Sequence, residues 1–507
     1  MKKIHAGLAA LLFSACAIAQ KSPVATKYAK LISVDDAKRH LNILASDAFE
    51  GRETGKPGAM MAANYIAAEF KRLGLQAPAN GSYFQDVPLI EASFEVKTLT
   101  INGTSYAYKK DFYASSNAVI AGDHNFAAKE IVFLGHKVGG DVAAELGNTD
   151  ITGKAIFLVN DGETPSNVTN RIAFLQTKKP LFIISTSAAV ADNISKGRVG
   201  RGGATLVIQT KTPLAPVFSI TADVANQLLI NSGETFETFK ASGDDKGMQA
   251  NQVIKADVAA VITTTTKPAG RAVEVLGYMP GTDLKDQVLV FSAHYDHIGL
   301  TKSGTDKVNN GADDDGSGTT GILEIARAFA QAKKEGHGPR RSILFLGNVG
   351  EEKGLLGSEY YTDHPVFPLK NTITDLNIDM IGRVGSDYIG KADSSNYVYA
   401  IGSGMLSVEL RSISEATNKK YTNLILDYTY DNTTDKNRYY YRSDHYNFAK
   451  HGVPIIFYFN GVHADYHKPT DEVSKINFPL LVKRAQLVFY TGWELANRDK
   501  KPQVDVF

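Results

Sequence analysis

Two stretches decide the fold: QVLVFSAHYDHIG at 287–299 and NNGADDDGSGTTGILEIARAFAQA at 309–332. The first is an apolar run over 287–293 that stops at His294. The second is a polar, glycine-rich turn running into a helical pattern over 317–332. In that helix Ile322, Ile325, Ala326 and Phe329 share one face. The same alternation continues downstream, with predicted strands at 342–347, 373–378 and 453–459 and a closing helix at 480–496. Buried, non-alternating strands between helices predict an α/β fold: a mixed, mostly parallel sheet flanked by helices.

Upstream, Ser33 to Asp36 carries a capping-box pattern that opens a helix. A second helix is predicted over 58–73, with Ile66, Phe70 and Leu73 on one face and Gly74 as its stop. From about residue 116 the texture changes. Short apolar strands recur at 131–134, 155–159, 181–184, 204–208 and 217–220, separated by polar and glycine turns. These predict an inserted, strand-rich domain at 116–254 within an α/β domain formed by 30–115 and 255–500. Thr263 to Thr266 read as a solvated strand or linker.

Composition narrows the function classes. Lys and Arg number 55 against 54 Asp and Glu, a net charge of +1, so neither nucleic acid nor an anionic membrane is expected as the main partner. There is a single cysteine, Cys16, which excludes an intrachain disulfide and thiolate metal sites in the body of the chain. Residues 1–19 read as a signal peptide: Lys2 and Lys3, a short apolar segment, then Ala17-Ile18-Ala19 before Gln20. The expected location is therefore secreted or periplasmic. The alternative is a lipoprotein anchored at Cys16, because Phe13-Ser14-Ala15-Cys16 approaches a lipobox. No later stretch reads as a transmembrane span.

Acids and histidines gather just past the predicted strand ends, where open α/β sheets place their sites. His294 and Asp296 follow one strand, Glu351 and Glu352 the next, Asp379 a third, and His463 to His467 the last; Asp313 to Asp315 precede the long helix. A two-metal hydrolase needs imidazole and carboxylate ligands, one bridging carboxylate and a free base. This set supplies them, and of two adjacent glutamates one would bind metal while the other handles protons. Neither G-x-S-x-G nor H-E-x-x-H occurs. Ser443-Asp444-His445 are sequence neighbours, whereas a triad needs side chains converging from separate elements.

The strings SAHYDHIG, NNGADDDGSG, GEEKGLLGS, LNIDMIGR and DYHKPTD, in that order, resemble the di-zinc exopeptidase family that includes bacterial leucyl aminopeptidase and glutamate carboxypeptidase II. LASDAFEGRETGKPG at 44–58 resembles the amino-terminal part of exported bacterial members, and DITGKAIFLVND at 150–161 resembles the protease-associated (PA) domain often inserted in them. The resemblance implies two Zn2+ ions per chain. His294 and Asp379 would hold one, Glu352 and His467 the other, and Asp314 would bridge them. It implies Glu351 as general base and then acid, Asp296 as the orienter of His294, and Tyr466 as a donor to the tetrahedral oxygen. Asp313 and Asp315 are expected to be structural. His297, His445 and His463 are expected to be solvated or hydrogen-bonding, and Arg383 to be ion-paired. The implied activity is that of an aminopeptidase acting on peptide substrates. A dipeptidase or carboxypeptidase of the same family is the alternative, and a non-catalytic binding protein the alternative of another class. Oligomeric state is not legible.

Overall fold

The computed structural model describes residues 21–135, 139–199, 203–238 and 251–506, so the leader and Cys16 lie outside the described residues. The chain forms two compact units, one made of residues up to 87 and from 271 onward, the other of 88–270. Among the described residues no helix is long and apolar enough to cross a membrane.

The first unit is built on an eight-stranded sheet: β1 (Phe84–Val87), β2 (Ala272–Met279), β3 (Leu284–His294), β4 (Arg341–Asn348), β5 (Thr372–Ile378), β6 (Tyr397–Ile401), β7 (Ile425–Asp427) and β8 (Ile455–Phe459). Its order is β1-β2-β4-β3-β5-β8-β6-β7. The central four, β4-β3-β5-β8, run parallel. Antiparallel pairings of β2 with β4 and of β6 with β8 border them. The sheet is thus mixed with a parallel centre.

From Val288 onward β3 is buried on both faces, which explains its apolar run Val288 to Phe291. Phe291 stacks on Phe345 of β4 at 5.4 Å and meets Phe329 of the helix Gly316–Lys334 at 5.8 Å. Phe329 in turn packs on Phe489 and Trp493 of the closing helix Phe478–Asn497. On the other face Val288 and Val290 join a cluster with Tyr361, Phe448 and Phe457. The amino-terminal helix Val34–Leu44 begins at Ser33, whose hydroxyl accepts from the Asp36 amide.

The second unit holds a nine-stranded sheet with its own core, including Phe133, Phe157, Phe182 and Phe218. It is wider than the 116–254 read from sequence. Strands Leu89–Ile101 and Val253–Pro268 pair antiparallel from Ile101 opposite Val258 to Ile90 opposite Pro268, and both belong to this sheet. Such a pairing joins segments about 150 residues apart, beyond the reach of local periodicity. The four threonines 263–266 lie in the second of these strands.

Candidate metal centre

The carboxyl ends of the four parallel strands converge on one set of side chains. His294 is the last residue of β3 and lies in register with Asn348, the last residue of β4. From Asn348 the chain turns at Gly350 into the short helical turn Glu351–Lys353. Asp379 follows directly on β5, and the loop after β8 carries His463, Tyr466 and His467. The acidic triplet 313–315 precedes the long helix, whose N-cap is Asp315.

His294 Nε2 lies 3.3 Å from Asp314 Oδ1 and 3.6 Å from Asp379 Oδ1. His467 Nε2 lies 3.1 Å from Asp314 Oδ2 and 3.1 Å from Glu352 Oε2. Asp314 therefore turns one oxygen toward each histidine–carboxylate pair. Glu351 stands beside the first pair, its Oε2 4.0 Å from His294 Nε2. Among the described residues, His294 Nε2 and Asp314 Oδ2 are buried atoms without a hydrogen-bond partner. Two groups, His294 with Asp315 and Asp379, and His297 with Asp314 and Glu352, each gather ligand atoms closely enough to suit a divalent cation, so the residues present fit a metal pair. The sequence-predicted ligands His294, Asp314, Glu352, Asp379 and His467 are thus brought together.

Burial works against charge on His467, but the adjacent carboxylates of Asp314 and Glu352 outweigh it and hold its pKa up at about 10. Burial likewise opposes charge on His294, and the charges of Asp379 and Glu351 carry it well above the usual imidazole range. Asp314 is held well below the carboxylate range: its burial is overcome by the adjacent imidazoles of His294 and His467. Burial pushes Glu351 well above the ordinary range, a shift expected of a proton-transfer group.

The surrounding shell explains the glycines and acids of 309–318. Asp315 Oδ1 accepts from Gly318 N and from Met380 N, both at 2.9 Å, fixing the helix start and the backbone just past Asp379. Asp313 Oδ1 accepts from Gly382 N, and its other oxygen lies 3.2 Å from His463 Nε2. A Cβ on Gly318 would lie 2.4 Å from the Asp315 carboxylate, and one on Gly311 would lie 2.2 Å from the Asp314 carbonyl. Those positions therefore require glycine. His467 takes a left-handed backbone at φ 56°, a conformation that non-glycine residues hold only where surrounding structure over-determines it.

Asp296 is placed differently from the sequence reading, and His297 takes the hydrogen-bonding one of its two expected roles. His294 Nδ1 meets the backbone carbonyl of Asp296 at 3.1 Å, while the Asp296 carboxylate is 3.8 Å away. That carboxylate instead accepts from Thr54 and from the Glu351 amide. The carbonyl contact keeps a proton on Nδ1 and leaves Nε2 free to ligate. His297 is fully buried, not solvated, with Nδ1 2.9 Å from Glu352 Oε1. It lies within metal-holding distance of Asp314 and Glu352. His445 is buried against Phe457 with its Nε2 on the Tyr440 carbonyl, and burial lowers its pKa to about 3. Arg383 pairs with Asp465 at 2.9 Å.

Tyr466 stacks on the His467 ring at 3.9 Å. Burial and the nearby Asp314 and Glu352 charges raise its pKa far above the normal phenol value, so the hydroxyl keeps its proton. A pocket opens here, lined by Asp314, Glu351, Asp379, Tyr466, Arg442 and Phe459 among others.

Sequence reading gave no role to two buried supports. Asp471 Oδ2 accepts from the amides of both Asp313 and Asp314, steadying the bridging residue. Arg52 donates to the carbonyls of Leu44, Tyr295, Asn310 and Gly311. It thus ties the amino-terminal segment to both ligand-bearing loops. Both lie in quoted strings, but a carbonyl-binding arginine has no spacing signature. Arg52→Met is expected to lower unfolding free energy by about 3 kcal/mol or more, since four buried carbonyls lose a donor and, among the described residues, only that of Gly311 keeps a second, from Gly316 N. Urea unfolding of the purified variant measures this, and a change below about 1 kcal/mol would contradict it.

Residues 274–492 match the model of Peptidase family M28. The chain is 27% identical to Aminopeptidase YwaD of Bacillus subtilis over 242 residues, 45% of this chain and 46% of the relative. It is 27% identical over 265 residues to a probable leucine aminopeptidase of Arthroderma otae, 50% of this chain and 68% of the relative. The match thus spans about half the length of the first relative and two thirds of the second. The solved aminopeptidase from Aneurinibacillus sp. strain AM-1 is 17% identical, with a TM-score of 0.49 over 95% of this chain and 98% of its own. The carboxylate–imidazole cluster lies wholly within the residues 274–492 that match Peptidase family M28.

Proposed function

We propose that the chain is an exported zinc aminopeptidase that removes N-terminal residues from peptides with two metal ions. The observation that carries this reading is Asp314, with one oxygen facing His294 and Asp379 and the other facing His467 and Glu352. The M28 match and the aminopeptidase names of the relatives support it. The signal-like residues 1–19 support export, and the DITGKAIFLVND string supports reading the 88–270 unit as a protease-associated domain that adds no metal ligand.

His294 and Asp379 would hold one zinc, Glu352 and His467 the second, and Asp314 both. Zinc bound there supplies Lewis-acid polarisation of a water and of the scissile carbonyl. Glu351, free of the close ligand contacts, takes the proton from the attacking water and returns it to the leaving amine. Its burial raises its proton affinity, which suits the uptake of the proton from water. Tyr466 donates its retained proton as a hydrogen bond to the oxyanion. The acidic wall of Asp314, Glu351 and Asp379 attracts a free α-ammonium group.

Elemental analysis of purified protein is expected to give two zinc equivalents, with hydrolysis of leucyl-p-nitroanilide that chelation abolishes and zinc restores. A competent enzyme without metal would overturn the reading. Zinc uptake is also expected to weaken as pH falls. The ligand imidazoles hold protons in the metal-free protein, at His467 up to about 10, so zinc must displace them. Calorimetric titration in two buffers of different ionisation enthalpy counts these protons. Release of none at pH 7 would contradict the assignment of His294 and His467.

A further inference from the structure

We propose that Arg442 is a subsite for a carboxylate on the leaving side of the scissile bond, so that the preferred substrates are short peptides carrying negative charge one residue past the cut. This rests on the aminopeptidase reading and narrows it to a substrate class.

Besides Arg52, which is spent on backbone carbonyls, Arg383 and Arg442 approach the centre. Arg383 is committed to Asp465. Arg442 is not: its side chain is exposed, and its contacts are the Asn437 carbonyl at 3.5 Å, the Tyr466 hydroxyl at 3.4 Å and the face of Tyr439 at 5.1 Å. Among the described residues no carboxylate forms an ion pair with it. A guanidinium presents five donors in a planar fork matched to a carboxylate, and here the fork lines the same pocket as Asp314, Glu351 and Asp379.

The pocket is therefore polarised. Carboxylates line it at the metal end, and a cation held on Tyr439 stands beside Tyr466. A dipeptide has the complementary pattern, with an ammonium group at one end and a carboxylate at most about 7 Å away. With the amine drawn to the acidic wall and the carbonyl oxygen at Tyr466, the next group along the substrate lies on the Arg442 side. That group is the terminal carboxylate of a dipeptide or an acidic side chain in a longer peptide.

The test uses the zinc-loaded full chain and its Arg442→Met and Arg442→Lys variants. The readout is the ratio of kcat/KM for Leu-Leu over Leu-Leu-amide, and for Leu-Asp-amide over Leu-Asn-amide. The wild type is expected to favour one charged member by roughly ten- to a hundredfold, the range for a hydrogen bond to a charged group. Arg442→Met should bring that ratio close to one, mainly through KM, and Arg442→Lys should recover part of it. A Leu-Leu preference assigns the terminal carboxylate, and a Leu-Asp-amide preference assigns the side chain. The ratio is insensitive to a general loss of activity. A wild-type ratio near one, or a ratio unchanged in Arg442→Met while all rates fall together, overturns the subsite and leaves the aminopeptidase reading standing. Failure of the zinc-loaded wild type to cleave any of the four removes both.

Discussion

Glu351→Gln is expected to cut turnover by roughly 10²–10⁴ while leaving two zinc equivalents bound, because the amide keeps the size of the side chain but cannot accept a proton. Glu352→Gln is expected to do the reverse first: zinc content falls, and activity is lost with it. The distinction rests on position. Glu352 is within 3.1 Å of His467 and 2.9 Å of His297, whereas Glu351 approaches its nearest histidine only to 4.0 Å. Adjacent residues on one short turn thus project to different sides of the cluster. Elemental analysis and single-turnover kinetics on both variants decide the matter. Zinc loss in Glu351→Gln with retained zinc in Glu352→Gln would reverse the two roles.

Asp314→Asn is expected to weaken both metal positions together, by more than roughly a hundredfold each, since even partners outside the ligand set contribute 10–100-fold to metal affinity. The Asp314 carboxylate faces both histidines. An amide in its place offers one oxygen and one nitrogen, and the nitrogen carries protons where a lone pair is needed. Asp379→Asn, by contrast, touches one pair and should leave the His467 position closer to filled. Zinc titration followed by competition with a chromophoric chelator separates the two occupancies. Retention of one tight zinc in Asp314→Asn would exclude the bridging role.

Much of this was legible before any coordinates. The apolar run Val288 to Phe291 is buried on both faces, and there local pattern reports burial directly, whereas the equally buried strand at 373–378 carries Thr374, Asp375 and Asn377. The proposed ligands were legible for a related reason: histidine and acid at the ends of buried strands would be costly without a shared purpose. Other features left no local trace. The extent of the second unit depends on Leu89–Ile101 pairing with Val253–Pro268, a contact between distant segments. The contact to His294 comes from the Asp296 carbonyl and not its carboxylate, a choice made by backbone geometry.

The sequence by itself predicted a mixed, mostly parallel α/β sheet and placed acids and histidines past its strand ends; the resemblance carried by its motif strings implied which of them hold metal and which glutamate moves protons. Periodicity and residue type act over a few neighbours. Only the tertiary structure decided how those side chains are aimed and supported. Arg52 reaches four carbonyls in three segments, Asp471 grips the amides of Asp313 and Asp314, and Arg442 is left uncommitted beside Tyr466 while Arg383 is paired. A hydrogen bond between residues hundreds apart depends on where the chain has folded, and no spacing along the chain encodes that.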